Sequence, residues 1–173
     1  MSSSEHIGEF LDHFNKMKEQ AHASNLNSSA IVSETFVSLV KLDHVAFKLN
    51  GYKEIFARSG KQLSDHFSCR LGKWVAGDGK RIFGGNLAFS QINDPHQKVH
   101  ENMNEAVAIA ATAESEANNK TILDKCKATE EASSKLFGVF KDMIAIARKE
   151  SGLDESLAAL KKEEKQEPKE TKS

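Results

Sequence analysis

Cysteine, long apolar runs and excess charge are scarce in this chain of 173 residues, and each shortage excludes a class of protein. The two cysteines, Cys69 and Cys126, lie too far apart for a disulfide framework, which favours a reducing, cytoplasmic setting. No run of about 18 apolar residues could span a bilayer, and the opening MSSSEHIGEF lacks the apolar segment of a secretory signal. The net charge of −1 gives no basic field for nucleic acid. We therefore expect a cytoplasmic protein with no nucleic-acid or membrane partner.

Proline and alternating β-branched residues are also scarce, so helical periodicity dominates the sequence. Four apolar stripes recur at helical spacing: Ile7, Phe10, Phe14, Met17 and Ala21; then Ile31 or Val32, Phe36, Val40, His44, Phe47 and Tyr52, ending near Ser59-Gly60; then His96, Val99 or His100, Met103, Val107 and Ala110; and last Ile122, Cys126, Thr129, Leu136, Phe140, Met143 and Ala147. The predicted fold class is all-α, an antiparallel four-helix bundle with an extra N-terminal helix and one Gly-rich loop.

The segments between the stripes predict the domain organisation. The run SNLNSS predicts a polar layer or a break, a short helix is expected over 62–74, and the glycine-dense residues 76–86 should form an exposed loop. Asp94 followed by Pro95 predicts a helix start, with Asp94 as the N-cap. We predict a coiled-coil-like helix over 1–33, a helical bundle over 34–150, closed or interrupted at Gly152, and a charged, disordered tail over 151–173.

Four side chains with metal-binding chemistry fall on or between these helices. His96 and His100 are four residues apart, so both rings project from one helix face. His44 lies on the apolar face of its own helix, and Cys69 lies between these two helices. Three imidazoles and one thiolate would complete a tetrahedral shell for zinc, whereas iron or copper would favour an open position or an axial sulfur. Spacing alone leaves a second interpretation open, in which the histidines and the cysteine are ordinary core residues.

Three motifs carry a resemblance to a known family. They are LDHVAFKLNGY with His44 and Phe47, DHFSCRLGKW with Cys69, Gly72 and Trp74, and PHQKVH with His96 and His100. Together they resemble the chemoreceptor zinc-binding (CZB) domain, whose pattern is a histidine with an aromatic residue three positions later, then C-x-x-G-x-W, then H-x-x-x-H. The likeness runs from about Glu34 to Glu150, with Phe47 where many relatives carry tryptophan.

The resemblance implies a zinc-dependent sensory module of bacterial signal transduction, with Zn²⁺ held by His44, Cys69, His96 and His100. It implies a homodimer attached to a chemoreceptor signalling domain or to the chemotaxis machinery. The N-terminal helix resembles the helix that leads out of a receptor's signalling hairpin, so the chain is expected to be either the C-terminal portion of a cytoplasmic methyl-accepting chemotaxis protein or a free-standing relative. The apolar stripes at 7–21 and along the last helix also exceed what one small bundle needs, which favours the dimer.

Several residues around the four predicted ligands have candidate supporting roles. Asp43 or Asp65 could accept the second ring N–H of a ligand histidine. His66 is expected at the helix start or behind the ligands, and Phe47 and Trp74 are expected to pack around the site and restrict access to the sulfur. Cys126 is interpreted as core, and the N-terminal histidines, whose spacing does not converge on one ion, as surface or interhelical residues: His6, His13 and His22.

The signal itself has more than one candidate. Four protein ligands leave no position for water or substrate, so we expect no enzyme activity. Occupancy depends on free zinc and pH, and oxidation of Cys69 by an oxidant such as hypochlorous acid would weaken its bond to the metal. Redox sensing and zinc sensing are therefore both open. The alternatives are a structural, zinc-stabilised dimerisation module, a zinc-sensing regulator of a diguanylate cyclase, and a haem- or gas-sensing bundle.

Overall fold

The computed structural model describes residues 3–150 and is helical throughout, apart from its connecting segments. The elements are α1 (Ser3–Ala57), α2 (Arg70–Ala76), α3 (Asp78–Phe83), a 3-10 turn (Phe89–Gln91), α4 (Asn93–Ala110) and α5 (Glu116–Glu150). No strand occurs within residues 3–150, so the predicted all-α class is confirmed. No helix in that range is long and apolar enough to cross a membrane.

The chain forms two compact units. One is residues 35–146, and the other contains, among the described residues, 3–34 and 147–150. In the second unit Arg148 Nη1 lies 2.7 Å from Glu34 Oε1, and Phe14 and Met17 of its predicted stripe are more than half exposed. The expected domain limits remain predictions. Gly152 and the tail 151–173 lie outside the described residues, as do the side chains of Ile7 and Phe10.

Contacts across the unit 35–146 show how the long helices run. Lys48 Nζ of α1 lies 2.6 Å from Glu130 Oε2 of α5, and earlier in α1 the Nζ of Lys41 lies 5.6 Å from the ring centroid of Phe137. Residues later in α1 thus meet residues earlier in α5, so the two helices are antiparallel.

α4 and the segment made of α2 and α3 complete the bundle. Gly51 of α1 approaches Met103 of α4, and Arg58 Nη2 donates to the carbonyl of Thr112, 2.8 Å away, so α1 and α4 run in the same direction. The arm between them is made of α2 and α3, and Asn86 after α3 donates to the carbonyl of Met143, 3.1 Å away. This arm runs back along the bundle as two short helices instead of one long helix.

The predicted stripes of α4 and α5 form much of the core. Buried positions in α4 are Pro95, His96, Val99, His100, Met103, Ala106, Val107 and Ala110, and those in α5 are Thr129, Ala132, Ser133, Leu136, Phe140 and Met143. From α1 come Val37, Val40 and His44. Helical periodicity alone located most of this core, because each buried face repeats every three or four residues.

The structure decides between two alternatives for SNLNSS and corrects one predicted helix limit: α1 has no break there, which leaves the polar layer, and the helix expected over 62–74 starts later. α1 continues through SNLNSS, where the Ser28 hydroxyl donates to the carbonyl of Ser24, 2.9 Å away, and so satisfies its polar group inside the helix. The helix expected over 62–74 begins only at Arg70. The stop predicted near Ser59-Gly60 is confirmed, since α1 ends at Ala57 and Gly60 has a φ of 67°.

Two predictions for the glycine-dense segment and the start of α4 are also wrong. The segment holds the short helix α3, because Gly79 is buried against the ring of Trp74, where a Cβ would come within 2.6 Å of it. Tertiary packing therefore overrides the low helix propensity of glycine. α4 begins at Asn93 with Ile92 in the N-cap position, so Asp94 lies in the first turn and pairs with Lys98 at 2.8 Å.

Candidate metal centre

α4 supplies two of the predicted ligands from its first turns. His96 and His100 are 1% and 2% exposed, and their ring centroids are 5.0 Å apart. The spacing of four residues places both rings on the face of α4 that carries Val99 and Met103 into the core. Two imidazoles therefore meet in a buried position, where each nitrogen without a partner costs free energy.

α1 supplies His44, which is 2% exposed. Its Nδ1 lies 2.8 Å from the carbonyl oxygen of Val40, and Nδ1 of His100 lies 2.8 Å from that of Ser64. A carbonyl can only accept, so both Nδ1 atoms carry the hydrogen and both Nε2 atoms keep a free lone pair. These two Nε2 atoms are buried and have no hydrogen-bond partner in the protein. Two buried lone pairs aimed at one place are the arrangement that a metal ion requires.

Cys69 reaches the same place from the N-cap of α2. Its Sγ accepts the backbone N–H of Gly72 at 3.4 Å and lies 3.6 Å from the carbonyl of His66. Gly72 is buried, and a Cβ there would lie 2.0 Å from the carbonyl oxygen of His66. Cys69 and Gly72 therefore act together. Because Gly72 has no side chain, the backbone at His66 can pack against the start of α2, which fixes the position of the Cys69 sulfur.

The four ligand atoms converge. One nitrogen from each of His44, His96 and His100 and the Sγ of Cys69 all lie within 4.8 Å of one another. Sγ of Cys69 is 3.2 Å from Nε2 of His96. Two ligand atoms on a tetrahedral zinc ion are about 3.3–3.6 Å apart, given Zn–N of about 2.0 Å and Zn–S of about 2.3 Å. The longest pair can exceed this separation by about 1 Å, so the four side chains would close slightly around one zinc ion with a nitrogen-rich, single-sulfur shell.

Burial tunes the protonation of the cluster. It lowers the pKa of His96 to about 3 and that of His100 to about 4, and it also lowers the pKa of His44. The rings are therefore neutral near pH 7, which is the form that binds metal. Burial raises the pKa of the Cys69 thiol, so a nearby cation would be needed to hold it as the thiolate.

The two predicted carboxylate partners have other roles in the structure. Asp65 Oδ1 accepts the backbone N–H groups of Phe67 and Ser68, at 3.1 and 2.7 Å, and so fixes the turn before Cys69. Asp43 Oδ2 lies 3.1 Å from Nε of Arg70. The prediction that a carboxylate accepts the second ring N–H of a ligand is wrong for His44 and His100, because backbone carbonyls do this.

The remaining neighbours divide between two clusters. The ring of Phe47 packs against His100 with centroids 4.2 Å apart, as predicted, and so shields the site. Trp74 contacts Phe36, Phe83 and Phe89 at 4.6, 5.7 and 5.8 Å instead. It therefore supports the arm that carries Cys69 and does not contact the ligand rings, which corrects its predicted place.

His66 lies beside the cluster without joining it. Its ring centroid is 5.8 Å from that of His96 and 3.9 Å from that of Phe67, and it is not among the four converging residues. Its carbonyl, facing the Cys69 sulfur, is its closest link to the site.

The other candidates lie elsewhere. Cys126 is only partly buried on α5, so its interpretation as plain core is too strong, and burial raises the pKa of its thiol. His13 and His22 are exposed on α1, as predicted. The side chain of His6 lies outside the described residues.

Sequence reasoning missed three groups that shape the site. The role of the Val40 carbonyl is only weakly predictable from the sequence, since a helical histidine can donate to the carbonyl four residues earlier. The role of the Ser64 carbonyl is not predictable from the sequence, because 36 residues separate it from His100. Arg70, next to a predicted ligand, was visible only as one more surface charge.

One comparison with known proteins gave a match, to a protein family model. Residues 44–107 match the family model of the chemoreceptor zinc-binding domain. The match starts at His44 and contains all four converging residues. Comparisons with curated proteins and with solved structures gave no match. The match supports a CZB domain in this part of the chain; domains of this kind bind zinc, and the cluster is able to hold such an ion.

Proposed function

We propose that the unit around residues 44–107 is a zinc-dependent sensory module of bacterial signal transduction, in which Cys69 is the switching ligand. The observation that carries the proposal is the pair of buried, unpartnered Nε2 atoms of His44 and His100 beside the Cys69 sulfur. Bound there, zinc would favour the thiolate form of Cys69 and join α1, α2 and α4 at one point. With four protein ligands the site has no open position, and we propose no catalytic role.

An oxidant would act at the sulfur. The Cys69 thiolate takes up the halogen of a hypohalous acid as hydroxide leaves, and water then displaces halide and a proton to give the sulfenic acid. Sulfur loses two electrons and the halogen gains them. The sulfenic acid is a poorer ligand than the thiolate, so the α2 arm is released from the histidines on α1 and α4. We propose that this release is the signal passed along α1 to a chemoreceptor signalling domain.

Native mass spectrometry of the chain, with and without chelator, tests the metal first. We expect one zinc per chain, lost in Cys69→Ala and kept in the matched control Cys126→Ala. Peptide mapping after a small excess of hypochlorous acid tests the switch, with Cys69 oxidised before Cys126 and zinc released in step. Retention of zinc by Cys69→Ala would overturn the site; oxidation of Cys69 without zinc release would overturn the switch and leave zinc sensing or a structural role.

A structural dimerisation module is the second candidate, and one surface favours it. Leu42, Leu49 and Phe56 are 66%, 62% and 87% exposed and recur every seven residues on one face of α1. This apolar face has the spacing of a coiled-coil seam, and we propose that a second copy of the chain covers it. Sedimentation should show a dimer at tens of micromolar and a shift to monomer in Leu42→Glu. A zinc-loaded monomer would contradict the homodimer.

A further inference from the structure

A cavity of about 270 Å³ lies beside the ligand cluster. Cys69, His44 and His100 line its inner part, where the two histidines are 2% exposed. Asp43 and Arg70 line it as well, and their side chains are 42% and 53% exposed. The cavity therefore reaches from a half-exposed ion pair to the buried ligand atoms, and it has room for small solutes.

The ion pair is tied to the site by sequence as well as by position. Asp43 directly precedes His44 on α1, and Arg70 directly follows Cys69. Nε of Arg70 is 3.1 Å from Oδ2 of Asp43, yet this oxygen has no hydrogen bond of good geometry. Charge attraction, and not an aligned hydrogen bond, therefore holds the guanidinium beside the carboxylate. Both charges border the cavity that leads to the sulfur.

We propose that this cavity is the route by which small solutes reach the Cys69 sulfur, and that Asp43 and Arg70 set its charge selectivity. Asp43 alone would repel anions from the sulfur, and Arg70 alone would attract them. Together the two charges offset each other at the exposed part of the cavity, so neutral and anionic oxidants, such as hypochlorous acid and its conjugate base, can both enter. A role of this selectivity in sensing rests on the proposed function. The charge selectivity itself is independent of that function.

Charged thiol reagents of one chemical type test the proposal. In the full-length chain carrying Cys126→Ser, only Cys69 can react. Methanethiosulfonates bearing a sulfonate or a trimethylammonium group each form a mixed disulfide with the thiolate as methanesulfinate leaves. The ratio of the two rates cancels any change in the thiolate fraction of Cys69, so it reports the charge met along the route.

Neutralising each partner should move this ratio in opposite directions. We expect Arg70→Gln to lower the anion-to-cation ratio about three- to ten-fold, and Asp43→Asn to raise it by a similar factor. The double variant should return close to wild type. Arg81→Gln is the matched control, because Arg81 forms an exposed ion pair with Asp78 away from the cavity lining.

The outcomes separate this proposal from the proposed function. A ratio unchanged in both single variants, or moved the same way in both, would overturn the selectivity. Zinc content is measured on the same proteins, and the rates are measured with and without chelator. A chain that binds no zinc would refute the sensory module, yet the opposite shifts would still establish Asp43 and Arg70 as the selecting residues.

Discussion

The three histidines and the cysteine of the cluster are held in different ways. His44 and His100 lie on long helices, are almost fully buried, and are fixed through Nδ1 by carbonyl oxygens at 2.8 Å. Cys69 lies at the cap of a seven-residue helix, after the irregular segment 58–68, and is partly exposed. The helices form a rigid frame, whereas the cysteine is on the arm with the least helical support. A ligand on such an arm can detach without opening the core.

The largest expected effect is the loss of a ligand, which shows whether all four residues bind one ion. His96→Ala and Cys69→Ser should each weaken zinc binding about a hundred-fold or more, since four ligands share a binding free energy of about 10–16 kcal/mol. Competition with a chromophoric chelator measures this. Cys126→Ser should bind as wild type does.

The same variants sharpen the comparison between frame and arm. Cys69→Ser should speed amide hydrogen exchange mainly within 61–76 and leave the exchange of α1 and α4 near the zinc-bound level. If loss of the cysteine instead exposes α4 as much as His96→Ala does, the cysteine arm is part of the frame and the distinction fails.

The second effect is the acid sensitivity of the metal-free frame. Burial lowers the pKa of His96 to about 3 and of His100 to about 4, below their unfolded value of 6.5. The unfolded chain therefore binds protons that the folded chain excludes, so stability is present above pH 6.5 and falls as the pH drops towards 4. At pH 5 each of these two histidines should lower the free energy of unfolding by about 2 kcal/mol relative to its value well above pH 6.5.

Urea unfolding of the chelated protein at pH 7.5, 6 and 5 measures this dependence. His100→Gln should weaken the dependence of the free energy of unfolding on pH, and substitution of the exposed His13 by Gln should leave that dependence unchanged. A metal-free stability that stays flat from pH 7.5 to 5 would show that the rings are hydrated once the ion is removed.

The third effect concerns the arm, through the glycine that shapes it. Gly72→Ala places a Cβ 2.0 Å from the carbonyl oxygen of His66, so the backbone before Cys69 must move. We expect a loss of about 1–3 kcal/mol in stability and weaker zinc binding. Gly138→Ala is the matched control: nothing lies within 4 Å of its Cβ, in the middle of α5, and it should stabilise the protein by up to about 1 kcal/mol. Equal zinc affinity in the two variants would show that Gly72 does not position the sulfur.

The frame was more predictable from sequence than the arm, for a physical reason. His96 and His100 follow from a helical repeat, because residues four apart share a face whatever the helix packs against. Cys69 and Gly72 depend on a contact between a side chain and a folded-back backbone, which no periodicity encodes. α3 was missed similarly, since the packing of Gly79 under Trp74 outweighs the propensity of glycine. The carbonyl of Ser64 depends on the path of the irregular segment, which only the folded chain defines.

The smallest expected effect tests whether the long helices hold the histidines in place without the exposed contact between α1 and α5. The Tyr52 hydroxyl donates to Glu130 Oε1 at 2.5 Å, two turns along α1 from His44, and joins α1 to α5 beside the Lys48–Glu130 pair. Tyr52→Phe should cost about 1–2 kcal/mol in stability, as measured by urea unfolding, because a hydrogen bond to a carboxylate is stronger than a neutral one but this bond is exposed to solvent. Zinc affinity should not change, because the Nδ1–carbonyl bonds of His44 and His100 remain. A fall of more than about three-fold in zinc affinity, equivalent to about 0.65 kcal/mol, would mean that the packing of α1 on α5 sets the position of His44. The proposed switch would then have to reach α5 as well as α1.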